Sequence, residues 1–280
     1  MIRFEETLYP HWSQTFRVQK VLYHERSELQ DLAIFESAIF GRILALDGII
    51  QTTEADEYHY HEMITHVPLL AHGNVRTVCV VGGGDGGALR EILKHPGVHA
   101  TLVEIDSAVI EISKRYLPSI SCGSFDNPRV TIVIADGIRY LAHSTSMFDV
   151  IIIDSTDPQG PGEVLFHESF YDSCRKRLNP GGILVTQNGV PFLQPNEVYR
   201  TYCRLKPCFA DVWFFTAAVP TYVGGLMAMG WGSLEPEHRM RSHELISTRA
   251  SQVALKTRYY TPDIHIASFA LPRYIERLLL

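Results

Sequence analysis

Residues 78–93 read VCVVGGGDGGALREIL, and the fold turns on how this stretch is read. An apolar run, Val78–Val81, meets a glycine loop, Gly82–Gly87, and the loop opens onto a helical stretch from Ala88 to Leu93. A strand, glycine turn and helix in this order gather backbone N–H groups and the positive end of a helix dipole at one point. Five glycines in six residues exceed what a tight turn needs. Gly82, Gly84 and Gly87 fit G-x-G-x-x-G, a spacing shared by dehydrogenases and methyltransferases. Yet the loop also carries Asp85, which repels a pyrophosphate or a carboxylate. Its ligand must want close backbone approach and an acid beside it.

Outward from this loop the pattern repeats. Apolar strands are expected at Val75–Val81, Ala100–Ile105, Val130–Ala135, Phe148–Asp154 and Gly182–Gln187. Helical stretches follow at Ala88–Leu93, Ser107–Tyr116, Gly137–His143, His167–Leu178 and Asn196–Leu205. Near-continuous apolar strands alternating with helices predict a parallel sheet covered on both faces. Asp211–Ala218 and Gly225–Trp231 have no helix between them and predict an antiparallel pair at the sheet's end; the tail beyond Pro272 reads as helical. Upstream, Thr15–Glu25, Asp31–Glu36 and Arg42–Gly48 carry strand formers with turn signals at Gly41 and Asp47-Gly48. Asp56–Leu70 reads as a helix, with acids in its first turn and Pro68 near its end. The expected organisation is an N-terminal β domain, residues 1–56, and a Rossmann-like α/β domain, residues 57–280.

Composition narrows the function. The 280 residues are 46% hydrophobic and 20% charged, with net charge -6. No extended lysine or arginine run is present, which argues against nucleic acid or an anionic membrane as partner. Five cysteines without CxxC spacing argue against a disulfide scaffold or structural zinc. The opening MIRFEETLYP has no apolar stretch of the signal-peptide kind, and no apolar run approaches a membrane span. A cytoplasmic location is expected.

Ligands of such sheets bind beyond the carboxyl ends of the strands. Glu104 follows the second strand, about twenty residues beyond the glycine loop, where an acid accepts from ribose hydroxyls. Asp136-Gly137 follows the third; Asp136 can accept from an adenine amine or cap the next helix. DSTDPQGPGE follows the fourth and holds Asp154 and Asp157. With Asp85, three acids meet at one sheet edge. Clustered carboxylates repel, so a cation belongs between them, either an organic amine or a hard metal such as Mg²⁺. HYHEMITH holds His59, His61 and His66, but not at HExxH spacing. VPTYVGG places Tyr222 on a loop between the two late strands.

GGGDGG, VEID, ADG, DSTDPQGPGE, QNG and PTYVGG, in this order, resemble the polyamine aminopropyltransferases, the spermidine synthase family. The resemblance runs from LDGIIQTTEADEYHYHEM to YYTPDIHIASFALP. It implies a class I methyltransferase-type sheet. It also implies transfer of a 3-aminopropyl group from decarboxylated S-adenosylmethionine, a co-substrate, to putrescine, with no metal or cofactor. Asp154 is then the acid–base residue. Tyr60, His61, Asp85, Asp157 and Tyr222 hold the amine. Gln30, Gln51, Gly82, Gly84, Glu104, Asp136, Gly137 and Pro161 hold the nucleoside. Partners are the diamine and the nucleoside sulfonium, and a homodimer or homotetramer is implied. Cadaverine, agmatine or spermidine as acceptor, a small-amine methyltransferase, a dehydrogenase and a non-catalytic nucleoside binder are the alternatives. Asp85 disfavours those that use intact S-adenosylmethionine or a dinucleotide.

Overall fold

The computed structural model describes residues 2–155 and 168–280. Strands β1 (Ile2–Glu5) and β2 (Thr15–Val18) pair antiparallel, with Phe4 opposite Phe16. Strands β3 (Lys20–Arg26), β4 (Asp31–Ser37), β5 (Gly41–Leu46) and β6 (Ile49–Thr53) form an antiparallel four-stranded sheet in chain order. Both faces of this sheet are buried. Phe35, Ile43 and Ile50 pack on Phe16 and Val18 of β2, whereas Leu32, Ile34 and Leu44 pack on Val109, Ile112 and Ile120. Two-sided burial explains why DLAIFE is almost wholly apolar rather than alternating.

Helix α1 (Glu57–His72) leads into the larger sheet. There follow β7 (Thr77–Gly82), α2 (Gly87–Leu93), β8 (His99–Glu104), α3 (Ser107–Tyr116), the short α4 (Pro118–Ser121), β9 (Val130–Ile134), α5 (Gly137–His143) and β10 (Phe148–Asp154). Beyond them lie α6 (Glu168–Lys176), β11 (Leu178–Gln187), α7 (Pro195–Leu205), β12 (Asp211–Ala217) and β13 (Met227–Ser233). Helices α8 (His243–Gln252), α9 (Pro262–Ser268) and α10 (Arg273–Glu276) close the chain. The seven strands lie in the order β12-β13-β11-β10-β7-β8-β9. Strands β7 to β11 pair parallel with one another, and β13 runs antiparallel between β11 and β12. This is the Rossmann-like methyltransferase-type sheet expected. Strand order reverses between β7 and β10, so the ligand crevice opens at their carboxyl ends.

Alternate residues of each central strand enter opposite cores. Val78, Val80, Val150, Ile152, Ile183 and Val185 face α1 and α2; Cys79, Val81, Ile151, Ile153 and Leu184 face the side of Leu141 of α5 and Phe170 of α6. Helix α1 runs past Pro68 to His72. It ends at Gly73, whose φ of 79° permits a left-handed cap that donates to the Leu69 carbonyl. Arg249 of α8 donates to the Leu70 and Ala71 carbonyls, so the last turn is satisfied from outside. The expected strand Thr15–Glu25 is two strands, β2 and β3. β1, β6, α8 and α9 add to the elements expected, and β13 begins two residues later than anticipated, because Gly224 and Gly225 have φ of 110° and 124° and stay in the loop.

Glu62 of α1 is 1% exposed and ties the segment between α8 and α9 to α1. Its carboxylate accepts from the backbone N–H groups of Arg258, Tyr259 and Tyr260, each at 2.8 Å. Replacing it leaves three backbone donors without that partner, the Tyr260 N–H fully buried. Glu62→Ala is expected to lower the unfolding free energy by about 3 kcal/mol, measured by urea titration, with Glu62→Gln intermediate.

Candidate active site

A cavity of about 410 Å³ lies over the carboxyl ends of β7, β8 and β10. Its floor is set by one register pair: Gly82, the last residue of β7, lies opposite Asp154, the last residue of β10. A Cβ at Gly82, whose φ is 81°, would overlap the Asp154 carbonyl oxygen. Glycine is required there both for the backbone angle and for the approach. At Gly84 a Cβ would come within 2.8 Å of Glu104 Oε2, so the loop also lies against the acid at the end of β8. Gly137 packs on Val81 with no room for a side chain.

Asp154 stands at the centre. Its Oδ1 accepts from the Tyr60 hydroxyl at 2.7 Å. Its Oδ2 is buried and has no hydrogen-bond partner among the described residues. Burial and the neighbouring Asp85 charge push its carboxyl up to about 6, against the pull of His61 and Tyr60. An unpartnered buried carboxylate oxygen facing a cavity is a place for a donor. Burial and Asp154 raise the Tyr60 phenol well above its ordinary value, so Tyr60 keeps the proton it donates to Asp154.

Asp85 and His61 form the next layer. Asp85 Oδ1 accepts from the Gly87 N–H at 2.7 Å, and its Oδ2 lies 3.3 Å from His61 Nε2. His61 is 2% exposed, and its Nδ1 lies 2.7 Å from Glu57 Oε2. Burial opposes charge on this ring, but Asp85 and Glu57 outweigh it and hold the imidazole well above its usual value. Asp85 is correspondingly held low: burial raises it, and His61, the Gly87 N–H and Arg90 overcome that. The carboxylates expected to repel one another are thus partly balanced by an imidazolium from within the fold.

The wall beside β8 and β9 carries further acids. Burial pushes Glu104 up to about 7, although the backbone N–H groups of Asp106 and Ile105 stabilise its anion. Gln30 donates to Asp106 at 2.9 Å, beside Ser27 at 2.7 Å, and Asp106 caps α3. Asp136 caps α5 through the Ile138 N–H and also lines the cavity. The Tyr222 hydroxyl donates to the Gln51 carbonyl, closing one wall. That loop is fixed by Asp56, which accepts from the Thr221 N–H at 2.8 Å. Asp157 and Pro161 lie outside the described residues. The three histidines of HYHEMITH go to separate places: His59 to the Ala218 carbonyl, His61 to the cavity, His66 to buried His95 and Glu91.

Comparison with known proteins agrees with this geometry. The spermine/spermidine synthase domain matches residues 57–242, and the spermidine synthase tetramerisation domain matches residues 2–54. The polyamine aminopropyltransferase of Pseudomonas syringae pv. tomato is 52% identical over 98% of this chain and 96% of its own. Polyamine aminopropyltransferase 1 of Pseudomonas aeruginosa is 54% identical over the same shares. The chain belongs to the spermidine synthase family of polyamine aminopropyltransferases. A crystal structure of spermidine synthase in complex with the transition state analogue AdoDATO superposes with a TM-score of 0.94, at 37% identity, covering 99% of this chain and 94% of that one. Spermidine synthase from Thermotoga maritima gives 0.91 at 35% identity, with the same coverage.

In this aminopropyltransferase the sequence motifs do not disclose the whole wall. Glu6, Thr7, Leu8 and Tyr9, from the loop between β1 and β2, also line the cavity. Glu6 is buried and accepts from the Ile50 N–H at 2.9 Å and from Gln14 at 2.7 Å. Nothing in FEETLYP marks it from sequence; only the pairing of β1 with β2 brings it to the pocket. Glu57 and Arg90, which hold His61, were equally silent.

Gly87 packs directly on the His61 ring, and a Cβ there would overlap it. Gly87→Ala is expected to displace the ring, cost roughly 1–3 kcal/mol of stability and cut turnover more than about tenfold. Steady-state kinetics beside a thermal melt measure both.

Proposed function

We propose that this enzyme transfers the 3-aminopropyl group of decarboxylated S-adenosylmethionine to putrescine, giving spermidine and 5′-methylthioadenosine. Asp154 accepts the proton. The observation that carries this reading is the buried Asp154 Oδ2 at the floor of the cavity, without a hydrogen-bond partner among the described residues, with the anionic Asp85 beside it. The substrates arrive as cations. The amine nitrogen attacks the carbon next to the sulfonium, the carbon–sulfur bond breaks, and its electron pair stays on sulfur. The proton lost by nitrogen passes to Asp154.

The leaving group is already activated, so the difficulty lies with the nucleophile. An alkylamine with a pKa near that of lysine is protonated at pH 7, and freeing its lone pair costs about 4–5 kcal/mol. The adjacent sulfonium lowers that pKa while Asp154 takes the proton. Holding both reactants in line supplies up to about 7–11 kcal/mol. Asp85 repels the carboxylate of intact S-adenosylmethionine and attracts an ammonium, which selects the decarboxylated donor. Tyr60, His61, Asp85, Asp157 and Tyr222 bind the amine in this scheme. Gln30, Gln51, Gly82, Gly84, Glu104, Asp136, Gly137 and Pro161 bind the nucleoside. Residues 57–280 carry the chemistry, with Gln30, Gln51 and Glu6 completing the wall. Residues 1–56 associate the subunits into a homodimer or homotetramer, in keeping with the domain they match.

Asp154 must be ionised to act, and its carboxyl sits at about 6. Activity is therefore lost as pH falls through about 6 and is retained above it. The acid limb of kcat/KM for the donor is expected there in the native enzyme and to vanish in Asp154→Asn, whose turnover falls at least about a hundredfold. Mass spectrometry of products from decarboxylated S-adenosylmethionine with putrescine, cadaverine, agmatine and spermidine tests the substrates. Spermidine as the main product supports the proposal; methyl transfer from intact S-adenosylmethionine, or a preferred acceptor other than putrescine, overturns it.

A further inference from the structure

Two charged residues lie behind the active site and touch no part of the substrate cavity. Glu57 and Arg90 line a separate cavity of about 560 Å³, while His61, which Glu57 contacts, lines the substrate cavity. Arg90 meets Glu57 with two parallel bonds, Nη1 to Oε1 and Nη2 to Oε2, each 2.8 Å. It is itself fixed by the Ile120 carbonyl at 2.8 Å and by Glu91 at 2.7 Å. Such a fork is rigid and directional. Glu57 then reaches His61 Nδ1 at 2.7 Å, one helical turn away, and His61 Nε2 faces Asp85 at 3.3 Å.

We infer that Glu57 and Arg90 are a positioning pair for the transfer reaction: Arg90 fixes Glu57, Glu57 holds His61 as a doubly protonated ring, and that ring aims Asp85 at the acceptor amine. The inference rests on the amine-site reading above. A neutral imidazole has one N–H and can serve only one of two carboxylates as donor. Here carboxylates stand at both ring nitrogens, so both positions carry a proton. Among the described residues the titratable groups facing His61 are Glu57 and, edge-on, Tyr60 from α1, Asp85 from the glycine loop and, further off, Asp154 from β10; Arg90 of α2 acts on it through Glu57. Three acids surround one ring. The Arg90 fork keeps Glu57 from swinging away when an ammonium enters near Asp85. A ring protonated at both nitrogens cannot accept a hydrogen bond, so it directs the incoming ammonium to the carboxylates.

The test is imidazole NMR of His61 in the ligand-free enzyme, with its signals assigned as those absent from His61→Gln. The native ring is expected to keep both N–H protons well above the pH at which a free imidazole loses one, about 6.5. In Glu57→Gln its titration is expected to move down toward that of the free ring. At pH 7 the KM for putrescine should rise at least about tenfold while the donor KM moves less than about twofold. In a His61→Gln background the same substitution should add less than about twofold, since its route runs through the ring. A native ring titrating near its ordinary value of about 6.5 overturns the inference. So does a Glu57→Gln enzyme whose two KM values rise together, or whose effect persists undiminished without His61. Should Glu57→Gln not fold, the native titration alone decides. Enzyme inactive toward every amine sinks the substrate reading yet leaves the His61 titration interpretable.

Discussion

One alignment holds the catalytic architecture together: the parallel register that sets Gly82 of β7 opposite Asp154 of β10. At that point the chain leaves the sheet in two directions, so two loops diverge and a crevice opens between them. The glycine has no side chain to block the gap, and the aspartate is delivered to its floor on a strand buried along nearly all its length. Val78 through Val81 and Val150 through Ile153 are packed on both faces, which fixes both strand ends without any loop having to be rigid. Tyr60, from a helix on one face of the same sheet, then needs only one hydrogen bond to orient the carboxylate.

The electrostatics of the site follow from that frame. Buried acids are costly unless a positive charge or N–H donor meets them. Asp85 has both, His61 and the Gly87 N–H; Glu57 has Arg90 and His61; Glu104 has backbone donors only and moves up to about 7. Asp154 has a single phenol among the described residues and moves up to about 6, well above Asp85 beside it. A graded series of environments thus assigns different tasks to chemically similar side chains.

Much of this was legible in the sequence. Acids directly after apolar strands, and glycines where a strand turns into a helix, are local signals, and the sheet places them where those signals say. Glu104 and Asp136 were readable as cavity residues for the same reason: one ends β8 and the other follows β9 by two residues. What escaped was long-range. Glu6 comes from a short loop before β2, and its meaning appears only when β6 donates to it through Ile50. Glu57 reads as a helix-opening acid, a role that needs no partner, yet its partners lie on α2 and one turn along α1. Helices α8 and α9 were missed because their polar, weakly periodic sequences are held by contacts such as Arg249 to the end of α1, not by an apolar stripe. Asp157 was read from a motif that falls beyond the described residues.

The order of strands in the large sheet also bears on how the chain is made. β13 is the last strand to be synthesised, yet it is wedged between β11 and β12. Until Met227–Ser233 has emerged, β12 has no neighbour in the sheet and β11 shows an open, apolar flank. A nascent chain stalled in that interval exposes the sort of edge that recruits foreign strands. That interval falls after β7, β8 and β10, whose ends floor the cavity, have all been made.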